Sequence, residues 1–148
     1  MTTALAPHTR RPRVLAAAAT IVAAAVSAIY GAYGDPHPSA EQQHSVPVVI
    51  GAAVVIALLA FGLLVPWAAR TSNRAAGWGL GLAIVAVILI PVTFWSGAPL
   101  IAAGAAVVLG TTARRLGGGG LARAAVVAGI LTMVGSTALL VLGNTVLA

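Results

Sequence analysis

The sequence predicts an all-α fold: a polytopic transmembrane helix bundle of five spans, with its N-terminus inside and its C-terminus outside. Three observations predict it. The 148 residues are 60% hydrophobic and 7% charged, where soluble globular domains carry about 25% charged residues, and the mean hydropathy is +1.05. Apolar runs long enough to cross a ~30 Å hydrocarbon layer at ~1.5 Å per residue recur along nearly the whole chain. The eight cations are all arginines, Arg10, Arg11, Arg13, Arg70, Arg74, Arg114, Arg115 and Arg123, and they fall in three short segments flanking those runs.

Residues 1–13 form a basic N-terminal segment, and the rest, 14–148, reads as one transmembrane domain. Span one covers about 14–33. A cleavable secretory signal is its rival, because a basic start, an Ala-rich apolar stretch and Val26-Ser27-Ala28 supply the needed parts. Cleavage would leave four spans without reversing any of them. A twin-arginine signal at Arg10 and Arg11 fits less well, since Arg13 stands where that signal wants an apolar residue. Residues 34–45 read as a polar loop holding both acids, Asp35 and Glu41, because Pro36 and Pro38 oppose a continuous helix. Span two covers about 46–69, with Pro47 expected in its first turn and Trp67 near an interface.

Span three covers about 77–95, with Trp78 and Trp95 at opposite ends and Pro91 in its last third. The four-residue turn after it is too short for a domain, so spans three and four make a membrane hairpin. Span four, about 98–113, is short. A re-entrant hairpin is its rival, and that geometry would still leave Arg114 on the same side. Residues 114–123 read as a flexible basic loop, and span five covers about 124–147. With five spans and the N-terminus in the cytoplasm, every arginine lies inside and both acids outside, as the positive-inside rule asks. The strings Ala-Ala-Val-Val at 52, 105 and 124 are expected by chance in so Ala- and Val-rich a chain, and no repeat is read from them.

A net charge of +6 raises the question of nucleic acid, but arginines confined to loops between apolar runs are an orientation signal instead, facing anionic lipid headgroups. The absence of cysteine excludes disulfides, thiolate metal sites and cysteine nucleophiles. His37, Glu41 and His44 are the weak candidates for a metal, beside Asp35, and a solvated loop needs the same residues simply to stay in water. The glycine-rich stretch after Arg115 lacks the strand and the G-K-[ST] of a phosphate loop. Helices in lipid associate through small residues and interhelical hydrogen bonds. Gly77 and Gly81 on span three, Ala102, Ala106 and Gly110 on span four, and Thr132 and Ser136 on span five are therefore the expected packing residues, with Thr20, Ala24 and Ala28 spaced likewise on span one.

No Asp, Glu, Lys, Arg or His falls inside the five spans. Coupled transporters, proton relays and intramembrane hydrolases normally place ionisable groups there. No catalytic residue, cofactor or haem is therefore expected, nor an enzyme. The order of FWSGAP, LGTTARR and GGGGLARAAVVAG from Gly77 onward resembles small uncharacterised multi-pass integral membrane proteins of high-GC bacteria. That resemblance implies the architecture and carries over no functional residue. The expectation is a multi-pass cell-membrane protein acting as a non-enzymatic structural or accessory component, with a membrane-protein partner or a homo-oligomer. A small channel or facilitator is the alternative.

Overall fold

The computed structural model describes residues 10–33, 40–93 and 96–146, with the side chains of 14–30, 44–91 and 96–142. The described residues are all-α. Helix α1 spans Arg10–Tyr33. Helix α2 is α-helical over Ala40–Leu59, takes a π-helical turn over Ala60–Leu64 and returns to α-helix over Val65–Ala68. Helices α3, α4 and α5 span Ser72–Thr93, Ala98–Arg115 and Gly120–Val146.

Three of these elements are long and apolar enough to cross a membrane: His44–Ala68, Ser72–Pro91 and Gly120–Leu142. Val14–Tyr30 is a shorter apolar helix. Where the sequence leads one to expect five spans the chain has five helices, and three of them meet that standard of length and composition. Helix α4 is diluted by Gly, Thr and Pro and ends in two arginines.

Several boundaries differ from the sequence expectation. Helix α1 begins before Val14, so Arg10, Arg11 and Arg13 belong to its first turn rather than to a separate segment ahead of it. Pro12 does not prevent this, because the first turn of a helix has no intrahelical use for the N–H that proline lacks. The side chains of these three arginines lie outside the described residues. Residues 40–45 are helical rather than loop, so Pro47 lies inside α2 and not in its first turn. Ala, Glu and Gln are good helix formers, and Pro47 itself is exposed. Helix α3 begins at Ser72, so Arg74 is helical. The expected flexible loop 114–123 shrinks to 116–119, with Arg114 and Arg115 in the last turn of α4 and Arg123 in the first turn of α5. Two cations at a helix C-terminus favour that turn through the helix dipole.

The connection after α4 closes by a Schellman motif. Gly117 has φ of 84°, its N–H donates to Arg114 O at 3.1 Å, and the Gly118 N–H donates to Ala113 O at 2.8 Å. A residue with a Cβ resists that left-handed conformation. At the other end of α4, Gly97 has φ of 73°, and a Cβ there would lie 2.6 Å from Ala24 Cα.

Helix α4 is the hub, packing against α1, α2, α3 and α5. It runs antiparallel to α1, since Gly97 meets Ala24 and Gly104 meets Thr20. It also runs antiparallel to α3, since Gly79 meets the Ala106–Gly110 backbone and Ser72 Oγ donates to Ala113 O at 3.5 Å. Helices α3, α4 and α5 form a tight trio, and α1 with α2 forms a pair laid against α4.

The interior is built mainly from small side chains, with Ile101, Leu109 and Val65 the largest fully buried, and the exterior from large ones. Ala24, Ala57, Ala83, Ala103 and Ala125 are fully buried, while Leu15 is 69%, Val48 72% and Leu63 70% exposed. A soluble monomer rarely exposes apolar patches beyond a few hundred Å², whereas lipid makes an outward-facing leucine no worse than a buried one.

Candidate functional site

Alternation of the helices brings the arginines together at one end of the bundle. The start of α1 with Arg10, Arg11 and Arg13, the α2–α3 connection with Arg70, the start of α3 with Arg74, the end of α4 with Arg114 and Arg115, and the start of α5 with Arg123 all lie there. The opposite end carries the start of α2 and the α3–α4 turn. A cluster of Val65, Ala68, Ala75, Leu109, Ala113 and Ala122 closes the interior beneath the arginines.

Two tryptophans organise that end. Trp67 and Trp78 meet edge to face, with ring centroids 5.7 Å apart at an interplanar angle of 78°. The Arg74 guanidinium carbon sits 5.4 Å from the Trp67 ring centroid, within cation–π range. Both indoles are about half exposed, as suits amphipathic rings at headgroup level. From Arg74 and Asn73 a groove of about 520 Å³ runs down the outer face of α3 past Gly77 and Gly81 to Val85.

Of the small residues singled out in the sequence, Ala106 and Gly110 are buried and Ala102 is half-buried. Thr20, Ala24 and Ala28 are buried on α1. Gly77 and Gly81 point outward, with nothing within 4 Å of a Cβ at either position. The glycine through which α3 approaches its neighbours is instead Gly79, where a Cβ would lie 3.2 Å from Ala125 Cβ and 3.3 Å from Ala106 O. Gly104 and Gly129 are likewise contact glycines that spacing alone does not pick out. A four-residue spacing identifies a stripe but not which way the stripe faces.

Buried hydroxyls mostly turn back on their own helices. Thr20 Oγ1 donates to Ala16 O or Ala17 O, each at 2.9 Å, Ser27 Oγ to Ala23 O at 2.8 Å and Thr132 Oγ1 to Ala128 O at 2.7 Å. Ser136 differs. Its residue is 2% exposed and its hydroxyl has no hydrogen-bond partner.

His37 and the Glu41 side chain lie outside the described residues. His44 is exposed near the start of α2, and among the described residues no group of three or more His, Cys, Asp or Glu could hold a metal ion. No protein-family model, curated protein or solved structure matches the chain.

Proposed function

We propose that this protein is a multi-pass integral membrane protein of five spans, in which α4 crosses shielded by the other four helices. Residues before α1 lie in the cytoplasm and residues after α5 outside. The observation that carries the reading is the distribution of side chains, with Ala and buried hydroxyls dominating the interior and most of the large Val, Leu and Ile side chains facing outward. The arginines gathered at one end support the orientation.

Within that membrane the protein acts as a non-enzymatic structural or accessory component. Its interior is closed by alanines at or near zero exposure, and no Asp, Glu, Lys, Arg or His lies within 14–33, 46–69, 77–95, 98–113 or 124–147. Affinity capture of the full chain from native membranes, with identification of whatever stays bound in mild detergent, tests this role. A stable membrane-protein partner or homo-oligomer is the expected result.

The alternative, a small channel or facilitator, is favoured by one observation, the unpartnered Ser136 hydroxyl, because an orphaned buried polar group suits a wetted path. Gradient-driven solute or ion flux in liposomes above that of empty vesicles, reduced by Ser136→Leu, would promote it.

A further inference from the structure

The groove on the outer face of α3 is floored by Gly77 and Gly81, where no neighbouring helix comes within 4 Å of a Cβ. It is polar only at its upper end, where Asn73 and Arg74 stand, and apolar below, over Gly77, Gly81 and Val85. We infer that it binds one anionic phospholipid, with the headgroup phosphate on Arg74 and an acyl chain laid along Gly77 and Gly81. The inference rests on the membrane reading proposed above.

The dimensions suit such an occupant. From Arg74 to Val85 the helix rises ~16 Å, close to the ~15 Å depth of one leaflet. The two glycines leave the floor of the groove bare, with open space where side chains would stand. A flexible chain can lie where a Cβ does not.

The headgroup end is prepared for an anion. Trp67, edge-packed on Trp78, holds the Arg74 guanidinium over its ring. A guanidinium carries paired N–H donors that match two phosphate oxygens. No Asp or Glu occurs anywhere from residue 42 to the end of the chain, so no nearby acid of this chain competes for Arg74.

Charge also selects against a second copy of the chain as the occupant. Two such grooves pressed together in a membrane would bring Arg74 and Arg70 of both copies to the same end, with no acid there to offset them. Like charges at close range oppose that contact.

The test uses the full-length protein in nanodiscs of phosphatidylcholine with a minor share of phosphatidylglycerol, released into mild detergent for native mass spectrometry. Wild type is expected to keep about one phosphatidylglycerol per chain in preference to phosphatidylcholine. Arg74→Gln should lower that preference roughly tenfold, the scale of one lost charge-assisted hydrogen-bonding site. Arg123→Gln, at the same end but away from the groove, should leave it intact. Gly81→Leu should reduce retention of both lipids, and Gly77→Leu repeats that arm if the first variant folds poorly.

Equal losses in Arg74→Gln and Arg123→Gln would reduce the effect to diffuse attraction and overturn the site. A wild-type dimer that Gly81→Leu dissolves would give the groove to a second copy and overturn it as well. Failure of the membrane reading shows separately and earlier, as wild-type chain released from membranes by carbonate washing.

Discussion

Gly110 of α4 and Gly129 of α5 are placed reciprocally across one antiparallel crossing. A Cβ on Gly110 would lie 2.7 Å from Val126 Cγ2 and 3.0 Å from Ala122 O, and one on Gly129 would lie 2.8 Å from Val107 Cγ2 and 2.9 Å from Ala103 O. Each helix thus offers a glycine to the other's valine. The string Ala-Ala-Val-Val-x-Gly occurs at 105–110 and again at 124–129, so the two halves of the contact are built from the same local sequence. Where hydrophobic association is absent, such close backbone approach is the main source of helix pairing.

Filling either glycine should therefore push the helices apart. Gly110→Leu and Gly129→Leu are each expected to destabilise the protein in detergent by at least ~1–3 kcal/mol, the usual range for overpacking. Gly81→Leu, at an open position, should change the thermal midpoint little. Equal effects at Gly81 and Gly110 would remove the crossing from the account.

Gly104 offers a cleaner pair. The nearest atoms to a Cβ there are the Cγ2 and Cβ of Thr20, with Phe61 next at 3.6 Å, and all of them are side-chain atoms. Gly104→Ala should destabilise, and Thr20→Ser, which removes the clashing methyl and keeps the hydroxyl, should restore much of the loss. A double-mutant cycle in detergent melts should show coupling of ~0.5–3 kcal/mol between the two. Additive effects would mean that α1 does not cross α4 at this point.

The sequence made the helical class, the central hairpin and the grouping of arginines readable, because composition and loop charge need no tertiary context. It marked Ala106 and Gly110 but misplaced Gly77 and Gly81, since in a helix without a polar face the outward and inward stripes look alike. The two Ala-Ala-Val-Val-x-Gly strings were visible as well, yet nothing short of packing shows that they meet. The early start of α1 was hidden by the charge of Arg10, Arg11 and Arg13, which marks the edge of an apolar run but not the edge of a helix. The helical start of α2 at Ala40 was hidden by Pro36 and Pro38, which point to a loop, and by Pro47, which points to a first turn. The π-helical turn at Ala60–Leu64 has no sequence signal that hydropathy reads.

Ser136→Ala tests the orphaned hydroxyl. Removing a buried polar group that has no partner relieves a desolvation penalty of ~1–3 kcal/mol, less the small loss of packing. The expected outcome is an unchanged or raised melting temperature in detergent. A marked fall would show that the hydroxyl has a partner after all, water in a wetted path included.

The turn after α4 should distinguish two glycines that look equivalent in the run Gly117–Gly120. Gly117→Ala is expected to cost ~1 kcal/mol because of its left-handed φ, whereas Gly119→Ala should be close to neutral, with nothing within 4 Å of its Cβ. Detergent melts of the two variants side by side make the comparison.

Orientation of the five spans is the central claim, and the cysteine-free sequence suits a direct measurement of it. Single cysteines at Ser39, Thr71, Gly119 and Ala148 can be challenged with a membrane-impermeant maleimide on intact and permeabilised cells. The account predicts labelling of 39 and 148 in intact cells, and of 71 and 119 only after permeabilisation. Labelling of 148 on the same side as 71 and 119 would contradict five spans, and labelling of all four in intact cells would contradict the spanning arrangement itself.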